Sequence, residues 1–242
     1  MGQRSQIYIR IMDNYNENPI LYAKYYSWNF AERMISRAKY GIEYIKKNIG
    51  YITLDTTKKK INRIFDVNFD MQDILLTSDI IKEWLEEFSD YYDANEYIFN
   101  YVPNNDGKLF IDITKDGEIK YCFTDYNMKI LTPTKYMNWD FPEWQKSKYL
   151  SEDEIETCKN NIRYLIKNAK LMTKEELEEF INYDYSKQIS ELAKEMKIEI
   201  KPERLVRTDY NEQNKEENDI SEVEIIWQER NRVDFTIKER RD

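Results

Sequence analysis

The sequence predicts an α+β fold, a small antiparallel sheet built from β-hairpins and packed against several helices. Three observations predict it. Apolar residues alternate in paired runs that flank turn chemistry, at residues 6–11 with 20–28 and again within 108–124. After the first pair the apolar period lengthens from about 2 to about 3.6, the mark of strand giving way to helix. At 242 residues the chain is long enough to bury a sizeable core around these elements.

In order, Ile7, Ile9 and Ile11 alternate with polar residues, and Asp13 to Pro19 supplies a turn. The run from Ile20 to Trp28 completes a hairpin. Phe30, Met34, Ala38, Ile42, Ile45 and Ile49 then fall on one face of a helix, and Asn29 with Glu32 three residues on has the spacing of a capping box. A hairpin feeding a long helix is a consistent nucleus, because the helix covers one face of the sheet. Asp55, Thr56 and Thr57 cap a short basic helix over 58–65, and the run 66–76 is ambiguous. Ile81, Trp84, Leu85 and Phe88 form the stripe of another helix. Pro103 to Gly107 ends a Tyr-rich stretch with strong turn chemistry.

Residues 108–124 form a second hairpin. A three-residue loop, Lys115-Asp116-Gly117 with Gly117 left-handed, pairs Ile113 with Ile119, Ile111 with Tyr121 and Leu109 with Phe123. Asp112 then opposes Lys120, and Thr114 opposes Glu118, on the other face. A two-residue loop would put Lys120 against Ile113 and mix the faces, so sidedness selects the first register. Residues 126–149 read as irregular, interrupted by Pro133 and Pro142. Two helices follow, each opened by S/T-x-x-E, at Ser151/Glu154 and Thr173/Glu176. Ile155, Cys158, Ile162, Leu165 and Ala169 make the first stripe; Leu177, Phe180 and Ile181 begin the second, and Ile189, Leu192 and Met196 belong to a further turn or helix. Pro202 marks a boundary. Residues 1–202 are expected to form one domain, 203–222 an acidic flexible linker, and 223–242 a C-terminal β-hairpin.

Composition narrows the chemistry. The chain has no histidine, which removes Ser-His-Asp and Cys-His catalysis, histidine acid–base work and the usual zinc sites. Its five glycines form neither GxxxxGK[ST] nor GxGxxG, so those nucleotide loops are excluded. Cys122 and Cys158 have no metal or redox spacing and read as reduced and buried. A net charge of −9 argues against a general nucleic-acid binder while leaving room for a local basic patch. No apolar run approaches the roughly 18 residues of a membrane span, no basic-then-apolar signal peptide opens the chain, and Gln6 stands where a myristoylation motif wants Ser or Thr. The expected setting is cytoplasmic, with no cofactor, no metal and no membrane.

Four constellations carry candidate chemistry. Asp112, Glu118 and Lys120 share a face, as do the carboxylates and lysine of metal-dependent nucleases; the plain alternative is a cross-strand ion pair on a solvated face. Arg33, Arg37, Tyr40 and Tyr44 lie opposite the apolar stripe of the first helix, where interleaved bases and aromatics can grip phosphates, or simply form a solvated face. Tyr136, Trp139, Phe141 and Trp144 fall within nine residues, the composition of an interface hot spot, unless that loop folds back into the core. Acidic groups including Glu86, Glu87 and Asp90, Glu152 to Glu156, and Glu175 to Glu179 can imitate a phosphate backbone, or serve as solvated faces and helix-start charges.

The opening Met1-Gly2-Gln3-Arg4-Ser5-Gln6-Ile7-Tyr8-Ile9-Arg10, with the run from Tyr25 to Ala38, resembles small proteins of Firmicute phages and mobile elements that begin Met-Gly-x-Arg and enter a strand. The resemblance covers about 40 residues. It implies a mobile-element accessory protein, of a kind that often antagonises host defence, and carries over no activity or site residues. The expectation is a protein that binds and inhibits a host nucleic-acid-directed complex (anti-CRISPR or anti-restriction) through an acidic, aromatic-bearing surface. The alternatives are a histidine-free enzyme, such as a carboxylate–metal nuclease, and a structural protein that self-associates, as a homodimer or through its terminal hairpin.

Overall fold

A computed structural model describes residues 4–12, 19–27, 29–48, 73–76, 94–100 and 106–197. The β-strands are β1 (Arg4–Ile11), β2 (Ile20–Ser27), β3 (Asp73–Leu76), β4 (Lys108–Ile113), β5 (Ile119–Thr124), β6 (Ile130–Leu131) and β7 (Lys170–Leu171). Helices are α1 (Ala31–Asn48), α2 (Ala94–Asn100), α3 (Pro133–Asp140), α4 (Glu152–Asn168), α5 (Lys174–Asn182) and α6 (Ser186–Met196). The fold is α+β. The expected basic helix at 58–65, the helix around Trp84, the linker and the terminal hairpin lie outside the described residues.

One sheet organises the chain, in the order β3-β2-β1-β4-β5, with β6 and β7 each pairing β5. It is mixed, not purely antiparallel. β1 runs parallel to β4, and β7 runs parallel to β5. The hairpins at β1/β2 and β4/β5 are antiparallel as expected. The second has the register that sidedness selected: Ile113 faces Ile119, Ile111 faces Tyr121, Leu109 faces Phe123, and Asp112 faces Lys120. Gly117 takes a φ of 76° in its loop, which glycine adopts without a Cβ penalty.

Both faces of the sheet are covered. On the first, Ile7, Ile9, Leu109, Ile111, Tyr121 and Phe123 pack against Met34, Ala38 and Ile42 of α1, Tyr136 and Met137 of α3, and Cys158, Ile162 and Leu165 of α4. On the second, Tyr8, Phe110 and Cys122 meet Ile98 and Phe99 of α2, Leu177 and Phe180 of α5, and Ile189 of α6. Every residue of β4 is therefore buried. This corrects the expectation of a solvated second face. The polar residues there are satisfied within the protein: Tyr8 donates its hydroxyl to Ile98 O at 2.9 Å, and the buried Lys108 ammonium donates to Phe99 O. Both ties hold the last carbonyls of α2, the orphan acceptors of a helix end.

Two local readings are corrected by packing. Residues 126–149 contain a helix, α3, because Pro133 sits at its first position, where no backbone N–H is needed, and Thr132 Oγ1 caps Lys135 N at 3.3 Å. The Asn29/Glu32 box does not form. Asn29 is buried, accepting from Arg37 Nε at 2.9 Å and donating to Ser5 Oγ at 2.9 Å. The start of α1 is capped from another element, by Asp140 Oδ2 at 2.7 Å from Ala31 N. By contrast, both boxes at Ser151/Glu154 and Thr173/Glu176 are fully made.

Candidate functional site

The site grows from the junction of α3, the loop before β4 and the N-terminus of α1. Tyr136 and Asp140 stand four residues apart on α3, one turn on the same face. The Tyr136 hydroxyl lies 2.8 Å from Asp106 O and 3.0 Å from Asp140 Oδ2, and donates to one at a time. Asp140 Oδ2 also accepts from Ala31 N. Asp106 is 5% exposed, and its Oδ2 has no donor among the described residues.

The Asp106 and Asp140 carboxyls are neighbours, and each affects the other's titration. Two carboxylates in one dehydrated site do not ionise independently. Burial, followed by the Asp140 charge, pushes Asp106 up to about 7. Burial also pushes Asp140 up to about 6, opposed by the Ala31 N–H and by donation from Tyr136 and Asp106. Protonating Asp106 removes the repulsion between the two, so one proton serves the pair. Glu32 extends the set. Burial raises it first, the Arg33 charge lowers it, and Glu154 and Asp140 raise it further. Its Oε2 is buried and has no donor among the described residues, while Oε1 is 4.0 Å from Arg33 Nε.

Aromatic rings border these acids. Trp139 lies over Gly107, where a Cβ would come within 3.1 Å of the indole. Its ring centroid is 6.0 Å from Tyr136 and 6.2 Å from Tyr126, which is 63% exposed. Tyr136 stacks in turn on Phe123 at 4.7 Å. A ladder of rings thus runs from the sheet to the surface beside the carboxyls.

The structure sorts the sequence candidates. Trp139 and Phe141 are half-buried at this rim, but Tyr136 and Trp144 are fully buried, so they are core anchors and not contact residues. Trp144 donates Nε1 to Asn138 Oδ1 at 3.3 Å. Arg37 is buried with its guanidinium 4.3 Å from the Tyr26 ring centroid, which removes it from any phosphate-gripping face. Arg33 stays half-exposed beside Phe30 and Tyr40 is exposed, so the basic face is dispersed. Glu86, Glu87 and Asp90 lie outside the described residues. Glu152, Asp153, Glu154 and Glu156 are exposed on α4, as are Glu175, Glu178 and Glu179 on α5. Sequence reasoning missed Asp106, Asp140, Glu32 and Tyr126. The Tyr136/Asp140 spacing was the available signal, and it needed the helix to be recognised.

The Asp112 face is occupied internally. Arg10 forks onto Asp112, Nε to Oδ1 at 2.8 Å and Nη2 to Oδ2 at 2.7 Å. Lys120 donates to Glu176 at 2.7 Å and lies 3.5 Å from Glu118. Phe180 covers the Arg10 guanidinium at 4.8 Å. A nuclease would need those carboxylates for its metal; here cations take them. Among the described residues no group of three or more Cys, Asp or Glu is arranged to hold a metal ion. No described helix is long and apolar enough to cross a membrane. Comparison with protein-family models, curated proteins and solved structures finds no match.

Proposed function

We propose that this protein is a binding protein whose acidic face at the α3 end occupies a basic groove on a macromolecular partner. The observation that carries this reading is the interacting carboxyl set Glu154, Glu32, Asp140 and Asp106 beside the Trp139/Tyr126 ring pair. Aromatic rings give contact area at little entropic cost, and acids that repel one another gain from a partner's cations. The exposed acids of α4 enlarge the same charge. The N-terminal resemblance supplies the biological setting: a phage or mobile-element inhibitor of a nucleic-acid-directed host defence complex, acting in the host cytoplasm.

The test begins with a tagged pull-down from a Firmicute lysate, with a nuclease-treated control. A stoichiometric nuclease or guide-RNA complex that survives the control supports the reading. The decisive step uses Tyr126→Ala with Glu152→Gln and Asp153→Asn, all exposed positions. Weakened binding with a shallower salt dependence is the expected result. Unchanged affinity and salt dependence refute the acidic-face mechanism.

A further inference from the structure

A second polar feature lies away from the α3 end, where α1 and α4 finish beside the β4–β5 loop. There a groove of about 480 Å³ is lined by Lys46 of α1, Lys167, Asn168 and Ala169 at the end of α4, Lys170 of β7, and Gly117 to Ile119. That volume falls in the range of small-molecule sites, roughly 300–1,000 Å³. Three lysines from separate elements line it, together with one acid, Glu118.

Of these three lysines, only Lys170 has a carboxylate within ion-pair distance among the described residues. Lys46 Nζ is held by Asn168, at 3.0 Å from Oδ1 and 3.4 Å from the backbone oxygen, which fixes its position without neutralising it. Lys170 lies 3.8 Å from Glu118, at the limit of an ion pair, and Glu118 is also shared with Lys120 at 3.5 Å. Lys167 is exposed and has no carboxylate partner among the described residues. Lysines in a last helical turn normally offset the helix dipole. That role accounts for Lys46 and Lys167 singly. It does not account for the placing of all three, with Lys170 from a strand, around one concavity. Other lysines pair with acids: Lys39 and Lys47 with Glu43, Lys120 with Glu176, Lys174 with Glu178. In a chain of net charge −9, a groove lined by three lysines and one acid is a local concentration of positive charge.

We propose that the groove bounded by Lys46, Lys167 and Lys170 binds the phosphate groups of a ligand. Lysine meets phosphate as a point charge with three donors, and three such charges suit linked phosphates better than a single carboxylate. Linked phosphates occur in free oligophosphates and in a nucleic-acid backbone. The groove chemistry is the same for both, and the experiment separates them. This inference is independent of the acidic-face reading and survives its failure.

The full-length protein is titrated with sodium tripolyphosphate, and separately with a single-stranded oligonucleotide, by calorimetry at low salt. The expected result is saturable one-site binding of at least one probe. Raising salt toward 1 M, where the screening length shrinks to about 3 Å, abolishes it. Lys167→Glu with Lys170→Glu weakens binding at least tenfold. Both side chains are solvent-facing, so the fold is kept, as circular dichroism verifies. Glu118→Gln, which removes the groove's carboxylate, tightens binding roughly threefold. Tripolyphosphate binding identifies a free phosphorylated ligand; oligonucleotide binding alone identifies a nucleic-acid backbone. No saturable binding of either probe, or equal binding by the lysine double variant, overturns the proposal.

Discussion

Replacing Asp112 by Leu removes one half of the ion pair between β1 and β4. The two residues are register partners on parallel strands, and their side chains are only 2% and 6% exposed. The cost follows from what Arg10 would retain. Its Nε and Nη2 lose both acceptors, and Nη1 already has no hydrogen-bond partner among the described residues. Glu179 stands 3.6 Å away, but it is 65% exposed and cannot replace two short charge-assisted bonds. Phe180 and Tyr183, at 4.8 and 5.8 Å from the guanidinium carbon, give cation–π attraction without satisfying donors. Stranding one partner of a buried pair costs about 3–5 kcal/mol. With a urea slope of roughly 2–3 kcal/mol per molar, the midpoint of unfolding falls by about 1–2 M. The control is Arg10→Met with Asp112→Leu, which removes both charges and keeps apolar volume; it is expected to recover most of the loss. If Asp112→Leu shifts the midpoint by less than about 0.3 M, or if the double variant is no better than the single, the buried pair is not what organises this face.

Two further predictions concern the α3 junction. Asp106 and Asp140 have folded-state pKa values raised from 3.8 to about 7 and about 6. A raised acid stabilises the fold fully below its unfolded pKa, and that contribution is lost as pH rises through 6 and 7. Melting temperature should therefore fall between pH 5 and 8, by the equivalent of roughly 2–4 kcal/mol. Asp106→Asn, which donates permanently to Asp140, should flatten the profile; an unchanged slope rejects the shared proton. Gly107→Ala should cost at least about 2 kcal/mol in urea unfolding. Gly107 has a φ of +79°, and an added Cβ would sit 2.2 Å from Thr124 O, a backbone atom of β5 that cannot step aside. A cost under about 0.5 kcal/mol would mean that the loop repositions freely.

Local and near-local features were legible in the sequence. The β4–β5 register followed from keeping Leu109, Ile111 and Ile113 on one face, and the starts of α4 and α5 from Ser151/Glu154 and Thr173/Glu176. The parallel pairing of β1 with β4 was not, because it joins segments about a hundred residues apart and no local pattern specifies it. Asp112, Glu118 and Lys120 read as an ion pair on a solvated face because each is charged. Their neutralisation depends on two strands and on Glu176 of α5 meeting, which only the fold supplies. In α3, Pro133 read as a breaker where it is a first-turn residue. That error hid the Tyr136/Asp140 pair, and with it the carboxyl site. The aromatic cluster divides: Tyr136 and Trp144 serve the core, while Trp139 and Phe141 are half-buried.

The allocation of carboxylates separates fold from function. Asp112, Glu43, Glu118 and Glu176 each lie against a cation of this chain, so their charge is spent on architecture. Asp106 is different. It is buried as deeply as Asp112, but it faces the Asp140 carboxyl, and burial and that charge outweigh the Arg4 backbone contact and favour its protonated form. A purely structural role at α1 needs one carboxylate, since Asp140 alone caps Ala31 N. The second acid adds electrostatic cost, and Asp106 Oδ2 and Glu32 Oε2 both have no donor among the described residues. Retaining repelling acids beside exposed rings is reasonable for a surface that a partner's cations complete. It follows that docking there should release the shared proton, so affinity for a basic partner should rise from pH 5.5 to 8 in parallel with the loss of intrinsic stability. Binding that is flat across that range, measured where the free protein remains folded, would return Asp106 to the architecture and leave only the exposed acids of α4 to carry recognition.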